Sequence, residues 1–385
     1  MKTFKNIYLG LAAASFAALV SCAEKEENTQ VVAPDPFAVQ TEKFKLKIDT
    51  LYTEFINPWG MTWLPDGTML VTERKGEILV FKDDKFTGTK LSGVPAVSEV
   101  NQAGLLDIAV HPKYAENGWI YLSYARKADK GEVLVISRAK LSGSALTDLQ
   151  EIFVCNPEWE GGRHFGSRIV FDNDGYLYFS NGDKGSRPMN AQELNNDHGK
   201  IHRIHDDGRI PADNPFVNTP GASPSIWTYG NRNPQGMIYD KANNRIWAVE
   251  HGPKGGDELN LIEKGKNYGW PVISYGINYD GSILTELTEK EGMEQPVTYW
   301  VPSIATCGMA LVTSDVYPEW KGNILVAGLA GMQIARVELE GTKYKSQETL
   351  LKDIGRVRQV SESPDGYIYA ITEATSLLVK LVPQR

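Results

Sequence analysis

The chain has 385 residues, of which 42% are hydrophobic and 23% charged, so it holds enough apolar material for a large core. Its formal net charge of −8 argues against nucleic acid and against an anionic membrane surface as binding partners. The 36 glycines, 20 prolines, 17 tyrosines and nine tryptophans favour short strands and tight turns over long helices.

The first 21 residues have the features of a bacterial export signal. Lys2 and Lys5 precede a short apolar run over residues 10–20, which is too short to cross a membrane as a helix. The run ends in the sequence LVSC (19–22), which resembles a lipobox. We therefore predict a lipoprotein signal peptide, with Cys22 as the lipid-bearing residue. The alternative is an ordinary cleaved signal in which Cys22 is accidental.

Residues 22–40 are predicted to form a polar tether, and residues 41–385 a single folded domain. The segment 23–36 (AEKEENTQVVAPDP) has too few apolar side chains to pack against a core. The predicted location is outside the cytoplasm, in the periplasm or on the cell surface, with the membrane contacted only through the lipid. Removing the signal and its two lysines changes the formal charge from −8 to −10.

Two cysteines, Cys155 and Cys307, remain in the predicted domain. An exported protein could join them in a disulfide, but two distant cysteines do not define a disulfide framework. A buried free thiol at each position is the other possibility.

Six segments of the domain repeat one pattern. Each has an apolar strand, a turn rich in Pro, Asp, Asn and Gly, and a second strand with an aromatic or aliphatic pair. Repeated hairpins that cannot bury their own faces indicate stacked units, so we predict an all-β fold, a six-bladed β-propeller with four-stranded antiparallel blades around a central axis. A β-sandwich with coincidental hairpins is the alternative. The six segments begin at Gly60, Gly104, Gly166, Gly236, Gly308 and Val360.

The residues that flank these hairpins are predicted to meet at one rim of the propeller, near its axis. Chain entering a first strand and chain leaving a second strand lie at the same end of a hairpin. The entering residues are Gln102, His164, Asn231, Arg232, Asn233, Ser303, Arg356 and Arg358. The leaving residues are Asp183, Glu250 to Pro253, and Gly328 to Ala330.

Three arginines at this rim, Arg232, Arg356 and Arg358, predict a site for a small polyanion such as a carboxylate-rich cofactor. Clustered cations without nearby carboxylates repel one another unless an anion binds between them. The alternative is that each arginine forms a salt bridge to a neighbouring loop. His164, which is flanked by glycines and belongs to no apolar period, suits a general base that takes a hydroxyl proton.

A glycine-rich turn at residues 251–258 (HGPKGGDE) could direct backbone carbonyls at a calcium ion. Asp257 and Glu258 could form a second calcium site, although holding the loop is the simpler role for them. Tyr268 and Trp270 are expected in the core rather than as a sugar platform.

The three histidines in DHGKIHRIHDDG are expected on a solvated strand face rather than at a metal. They are His198, His202 and His205.

These motifs resemble the soluble PQQ-dependent aldose sugar dehydrogenases of the glucose/sorbosone dehydrogenase family. The resemblance extends over about residues 51–382 and agrees with a six-bladed propeller. Its most specific pieces are NQAGLLDIAVHP (101–112), GRHFGSRIVFDNDG (162–175), GNRNPQGMIYD (230–240), EHGPKGGDELNLIEKGKNYGWP (250–271) and GRVRQVSESPDG (355–366).

The resemblance implies an enzyme that oxidises aldoses at the anomeric carbon to the lactone, with hydride transfer to calcium-bound PQQ and a respiratory electron acceptor. By position, His164 is implied as the general base and Arg232 as the residue that polarises the quinone. Gln102 is implied to contact the substrate beside the cofactor. The implied PQQ contacts are Asn233, Ser303, Arg356 and Arg358, and the implied calcium ligands are the carbonyls of Gly252 and Pro253.

Two positions depart from the glucose-oxidising members. Arg163 stands where they have an acidic residue, and residues 329–331 (LAG) stand where they have a cofactor-binding lysine. The broader aldose dehydrogenases are therefore the better match, and PQQ binding could be weaker. Two other functional classes remain open. One is a calcium-dependent, lactonase-like hydrolase, which would need carboxylates around the metal. The other is a non-catalytic propeller that binds a sugar or a partner.

Overall fold

A computed structural model describes residues 37–384. The predicted lipobox and most of the predicted tether lie outside this range. Within it, no helix has both the length and the apolar character needed to cross a membrane. The described chain has 25 strands in six antiparallel sheets.

The strands follow one another around the ring in chain order. The first two are β1 (Phe37–Gln40) and β2 (Lys45–Tyr52). The first four-stranded blade consists of β3 (Pro58–Trp63), β4 (Met69–Glu73), β5 (Glu77–Lys82) and β6 (Lys85–Lys90). The second consists of β7 (Leu105–Val110), β8 (Trp119–Ala128), β9 (Gly131–Ser142) and β10 (Ala145–Val154), with the one-turn helix α1 (Tyr114–Asn117) between β7 and β8.

The third blade consists of β11 (Ile169–Phe171), β12 (Leu177–Asn181), β13 (Lys200–Ile204) and β14 (Ile226–Tyr229), with a 3-10 helix at Pro188–Gln192. The fourth consists of β15 (Pro234–Asp240), β16 (Arg245–Glu250), β17 (Asp257–Ile262) and β18 (Thr298–Trp300). The fifth consists of β19 (Thr306–Leu311), β20 (Ile324–Gly328), β21 (Gln333–Glu340) and β22 (Lys343–Leu350), with a 3-10 helix at Pro318–Trp320. The last strands are β23 (Arg356–Glu362), β24 (Ile368–Glu373) and β25 (Leu378–Gln384).

The sixth blade combines both ends of the described chain. Its strand order is β1-β2-β25-β24-β23, and β2 pairs with β25 from Lys45 opposite Gln384 to Tyr52 opposite Leu378. The first strand of each blade contacts the first strand of the next, and β23 contacts β3, so the ring is closed. The predicted six-bladed propeller is confirmed, with one addition. Residues 37–40, assigned to the tether from sequence, form β1 and give the sixth blade a fifth strand.

The six predicted hairpins are the two inner strands of each blade, and their turn residues explain why they form. In the turn between β11 and β12, the Asp172 carboxylate accepts hydrogen bonds from the backbone N–H groups of Asp174 and Tyr176. Gly175 follows with φ of +84°, a conformation that favours glycine. The aspartate and the glycine together fix the reversal of the chain.

The core lies between adjacent blades, so middle strands are covered on both faces. Every residue of β4, β12, β13 and β20 is buried. Burial of one Leu, Val or Ile side chain in these strands contributes about 1.5–3 kcal/mol to the stability of the folded state. The prediction that the histidines in and around β13 lie on a solvated face was wrong for His198 and His202, which are buried. His202 stacks on Phe179 with ring centroids 4.7 Å apart, and the ring of His198 contacts the carbonyl of Pro157 at 2.8 Å.

Candidate active site

The predicted rim is formed where the inner hairpins end. Register places Ile169 opposite Phe179, Pro234 opposite Glu250, and Arg356 opposite Glu373, so chain entering a first strand meets chain leaving a second strand. The loops that carry the candidate residues of the third, fourth and sixth blades therefore share one end of the ring.

His164 is held by a buried carboxylate. Its Nδ1 lies 2.6 Å from Oδ1 of Asp183, and Oδ2 of Asp183 accepts a hydrogen bond of 2.7 Å from Nε1 of Trp270. All three side chains are buried. A carboxylate only accepts hydrogen bonds, so Nδ1 carries the proton and Nε2 holds the lone pair. His164 is thus fixed in the tautomer that can take a proton at Nε2.

The electrostatics of this pair keep His164 neutral and Asp183 ionised. Burial lowers the pKa of His164, and the positive charges of Arg232 and Arg163 lower it further, although the bond to Asp183 opposes them. Burial alone would raise the pKa of Asp183, but the bond from His164 and the charge of Arg232 bring it below its ordinary value. A neutral imidazole beside an ionised carboxylate is the resting state of a general base.

Backbone contacts hold the histidine in an unusual conformation. His164 has φ of +53°, and its backbone N–H donates to Oε1 of Gln102 at 2.9 Å. Gly185 donates its N–H to Oδ1 of Asp183 at 2.8 Å. A Cβ atom at Gly185 would lie 3.2 Å from Cε1 of His164, so the close approach requires glycine.

The loop that carries Arg232 is tied to the same pair. The carbonyl of Arg232 accepts a hydrogen bond from the backbone N–H of Asp183 at 2.8 Å. Nη1 of Arg232 donates to the carbonyl of His251 at 3.2 Å. Its guanidinium lies 5.2 Å from the ring centre of Trp270. The buried carboxylate of Glu250 accepts the N–H of Arg232. These contacts place a buried cation next to the base.

Three buried nitrogen atoms around this loop have no hydrogen-bond partner among residues 37–384. They are Nε of Arg232, Nδ2 of Asn233 and Nε2 of His251. Leaving a buried polar group unsatisfied costs about 1–3 kcal/mol, so three in one place indicate the position of a polar ligand.

The expectation that the arginines have no carboxylate nearby was wrong. Glu373, the last residue of β24, accepts hydrogen bonds from Nε of Arg358 at 2.8 Å and from its Nη2 at 2.5 Å. The same carboxylate lies 3.6 Å from Nε of Arg356. Nη1 of Arg358 also donates to Gln235 at 2.6 Å and to Cys307 at 3.0 Å. Arg358 thus has little hydrogen-bonding capacity left, whereas Arg356 is exposed and open to a ligand.

The predicted calcium turn has two free carbonyl groups. Gly252 and Pro253 are buried, and neither carbonyl oxygen accepts a hydrogen bond from the part of the chain that the structure describes. Oδ1 of Asp257 accepts the N–H of Gly252 at 2.9 Å, and the hydroxyl of Ser303 donates to both oxygens of Asp257 at 2.8 Å. Asp257 therefore holds the turn, and Ser303 supports it from the connection between β18 and β19. Buried carbonyls with free lone pairs fit a hard cation.

Two further carboxyl groups lie behind this turn. Glu250 and Glu258 face each other across β16 and β17, and Asn260 donates to both. Burial raises the pKa of both groups, and the charge of Glu250 adds to the rise at Glu258. Among the described residues, no three His, Cys, Asp or Glu side chains are grouped as metal ligands.

The segment expected to lack a cofactor lysine is reached by a lysine from another loop. Nζ of Lys352, in the loop between β22 and β23, donates to the carbonyl of Gly331 at 2.7 Å. Cys155 and Cys307 are both free and buried, so the disulfide alternative is excluded in this structure. Tyr268 is a core residue, as expected.

The sequence analysis gave no role to three residues that organise the site. Asp183 was placed at the rim without a partner, Trp270 was assigned to the core, and Glu373 was missed. The only sequence signal for Asp183 was its position directly after β12. Trp270 is indeed buried, but it also donates the hydrogen bond that orients Asp183.

Comparison with known proteins places this fold and this site in context. A family model described as Glucose / Sorbosone dehydrogenase matches residues 55–380. The aldose sugar dehydrogenase YliI of Escherichia coli strain K12 is 40% identical over 347 residues, which cover 88% of this chain and 93% of that protein.

Two solved structures resemble this chain over most of its length. The apo-form of the soluble aldose sugar dehydrogenase from Escherichia coli has a TM-score of 0.85 and 39% identity, covering 88% of this chain and 100% of that one. The PQQ-bound aldose sugar dehydrogenase from Streptomyces coelicolor has a TM-score of 0.72 and 28% identity, covering 88% of this chain and 98% of that one.

Proposed function

Because the chain belongs to the glucose/sorbosone dehydrogenase family, we propose that it oxidises aldoses at the anomeric carbon to the lactone, with PQQ and calcium as cofactors. One observation carries the proposal. The His164–Asp183 pair lies beside the loop whose buried nitrogen atoms lack partners. A general base next to buried nitrogen atoms that lack hydrogen-bond partners suits a redox cofactor and a sugar bound side by side.

The residues present fit both cofactors. Arg232 and Asn233 offer the unsatisfied donors for the carbonyl and carboxylate oxygens of PQQ, and Arg356 offers an exposed guanidinium. The free carbonyls of Gly252 and Pro253 would hold calcium. When bound, PQQ supplies the two-electron acceptor, and calcium acts on it as a Lewis acid.

The protein's own contribution begins with proton removal. Nε2 of His164 takes the proton of the anomeric hydroxyl as the sugar loses hydride from C1, which leaves the lactone. Asp183 stabilises the imidazolium that results, and Trp270 keeps Asp183 in place. Arg232 would hold a buried positive charge beside the bound cofactor and so favour its acceptance of electrons. His164 then returns its proton to solvent before the next turnover.

Reconstitution tests this proposal directly. The mature domain is purified without cofactor, PQQ is titrated with and without calcium, and oxidation of an aldose panel is followed with a dye acceptor. We expect saturable activity that requires both additions. Failure of PQQ to bind at excess calcium would instead favour a non-catalytic binding propeller. Sugar-lactone hydrolysis that needs calcium but not PQQ would favour the lactonase-like class.

We also propose that the protein is exported and anchored through a lipid on Cys22, and passes its electrons to a respiratory acceptor. The sequence LVSC after a short apolar run supports the anchor. Metabolic labelling with a radioactive fatty acid should mark the wild type and not Cys22→Ala. A labelled variant would show that the lipid is elsewhere.

A further inference from the structure

One exposed cation next to the candidate base has no carboxylate partner. Arg163 immediately precedes His164 and is exposed, and no carboxylate of residues 37–384 forms a salt bridge with it. Two other arginines differ in this respect. Arg187 pairs with Glu193 at 2.8 Å, and Arg356 lies 3.6 Å from Glu373. An unpaired guanidinium on an acidic protein is available to an anion that enters from solvent.

The stem of Arg163 and the ring of His164 border the same small space. A Cβ atom at Gly185 would lie 3.2 Å from Cδ of Arg163 and 3.2 Å from Cε1 of His164. Those two atoms are therefore no farther apart than twice that distance. The positive charge of Arg163 also acts on the ring, because it helps to lower the pKa of His164. A sugar whose anomeric carbon lies at His164 is thus within reach of the Arg163 guanidinium.

We propose that the substrates this protein prefers are aldoses with an anionic group away from the anomeric carbon, and that Arg163 binds this group. The inference rests on the proposed dehydrogenase function. The shared chemistry is a carboxylate, as in an aldohexuronic acid, or a phosphate, as in an aldose 6-phosphate. A guanidinium presents paired N–H donors that match either group.

A net negative protein would otherwise repel such substrates. With the signal removed, the formal charge is −10, so capture of an anion depends on a local positive field near the mouth. An ion pair at an exposed site corresponds to a preference of about 2- to 5-fold. The preference should weaken as salt rises, since the contact is exposed.

The test compares matched sugars on reconstituted enzyme. The values of kcat/KM are measured for glucose and glucuronate, galactose and galacturonate, and glucose 6-phosphate. We expect wild type to favour an anionic member, and Arg163→Gln to lower the ratio of anionic to neutral kcat/KM about 2- to 5-fold. Arg187→Gln removes the same charge from a paired cation nearby and should leave the ratio unchanged. Arg163→Lys keeps the charge but lacks the paired N–H donors of the guanidinium, so its ratio should lie between those of wild type and Arg163→Gln.

A second readout does not depend on turnover. In the cofactor-free protein, the His164 imidazole is titrated by NMR in wild type and in Arg163→Gln. The groups that act on this ring are Asp183, Arg232 and Arg163 itself, so loss of the Arg163 charge should raise the pKa of His164.

The kinetic ratios identify the anion. If kcat/KM relative to the neutral sugar is higher for the uronates than for glucose 6-phosphate, the ligand is the carboxylate, and the reverse order identifies the phosphate. Equal ratios in wild type and Arg163→Gln overturn the inference, whereas no oxidation of any aldose rejects the dehydrogenase itself.

Discussion

At the scale of single residues, the proposed function depends on how His164 is held rather than on its presence alone. A histidine with free rotation would spend time in the wrong tautomer and the wrong orientation. Asp183 removes both freedoms, because it is buried, ionised and fixed by Trp270. The base is therefore a unit of three side chains from the third and fourth blades.

Replacing Asp183 by Asn should reduce kcat about 10²- to 10⁴-fold while PQQ still binds. The amide can donate to Nδ1 and so favours the proton on Nε2, which disables the base. It also removes the interaction that raises the pKa of His164, so any residual activity should persist to lower pH. Stopped-flow reduction of bound PQQ across pH 5–8 would measure both effects. Wild-type kcat in this variant would exclude the pair from the reaction.

Replacing His164 by Ala should nearly abolish turnover and leave cofactor affinity mostly intact, because the side chain acts on the sugar proton. Equilibrium PQQ titration and steady-state assays on the same preparation separate the two quantities. Turnover at the wild-type rate would remove His164 from the mechanism.

Lys184, the residue after Asp183, is expected to make the free energy of unfolding depend on pH. Its Nζ is buried, donates to Oδ1 of Asn181 at 2.7 Å and lies 3.8 Å from the ring centre of Phe165. Burial lowers its pKa to about 7, whereas a lysine in the unfolded chain titrates near about 10.4. Between these values the unfolded chain binds more protons, so this group makes the free energy of unfolding rise with pH.

The variant Lys184→Met should therefore have a smaller rise in the free energy of unfolding between pH 7 and 9 than wild type. Urea unfolding at several pH values gives the difference between the two proteins, which cancels other titrating groups. Parallel pH profiles would mean that folding does not lower the pKa of Lys184.

At the scale of elements, the turn at residues 251–258 carries the proposed calcium ligands. Its conformation depends on glycine, since a Cβ atom at Gly252 would lie 2.2 Å from the carbonyl oxygen of Gly255. The adjoining loop reinforces the turn through reciprocal backbone hydrogen bonds between Lys254 and Ile277. The segment that contains Ile277 thus supports the turn with the predicted calcium ligands.

Gly252→Ala should shift the turn and weaken calcium binding by about 10-fold or more, because the clash is with backbone that cannot rotate away. The readout is the calcium concentration needed for half of the calcium-induced rise in Tm of the cofactor-free protein. Gly328→Ala is the control, since the nearest contact of its added Cβ atom would be 3.3 Å, a much milder crowding than 2.2 Å. An unchanged calcium requirement in Gly252→Ala would place the ion elsewhere.

The elements also show where sequence reasoning succeeds. The inner hairpins were predictable because each is local, with its turn residues and apolar strands in one short segment. The rim was predictable because both ends of a hairpin lie together. Partners such as Glu373 for Arg358 were not, since the pairing depends on side-chain positions in a closed ring. The histidines around β13 failed for a related reason, because alternation along a strand does not reveal that a neighbouring blade covers its second face.

At the scale of the whole molecule, the ring is closed by pairing between β2 and β25. β2 also brings Leu46 and Ile48 into the core of the fifth and sixth blades, where both are fully buried. Each contributes about 1.5–3 kcal/mol in addition to its backbone pairing. β1 is different, because it lies at the outer edge and most of its residues are exposed.

Two truncations separate these strands. A protein that begins at Thr41 should keep a Tm within a few degrees of the mature domain, because only the edge strand is lost. A protein that begins at Thr53 lacks β2 as well and should melt far lower or fail to fold. Calorimetry on both, with circular dichroism as a check of strand content, measures the contrast. Equal loss of stability in the two truncations would contradict a closing role for β2.

Closure by the first and last strands has a consequence for the timing of maturation. A chain made from its N-terminus carries β2 exposed until β25 appears, after almost the whole domain has been synthesised. Arg356 and Arg358 lie in that last blade, so the rim is complete only when the ends meet. Export as an unfolded chain would postpone this event until after translocation. Cofactor binding would then be the final step of biogenesis, because only a fully closed ring has the complete rim.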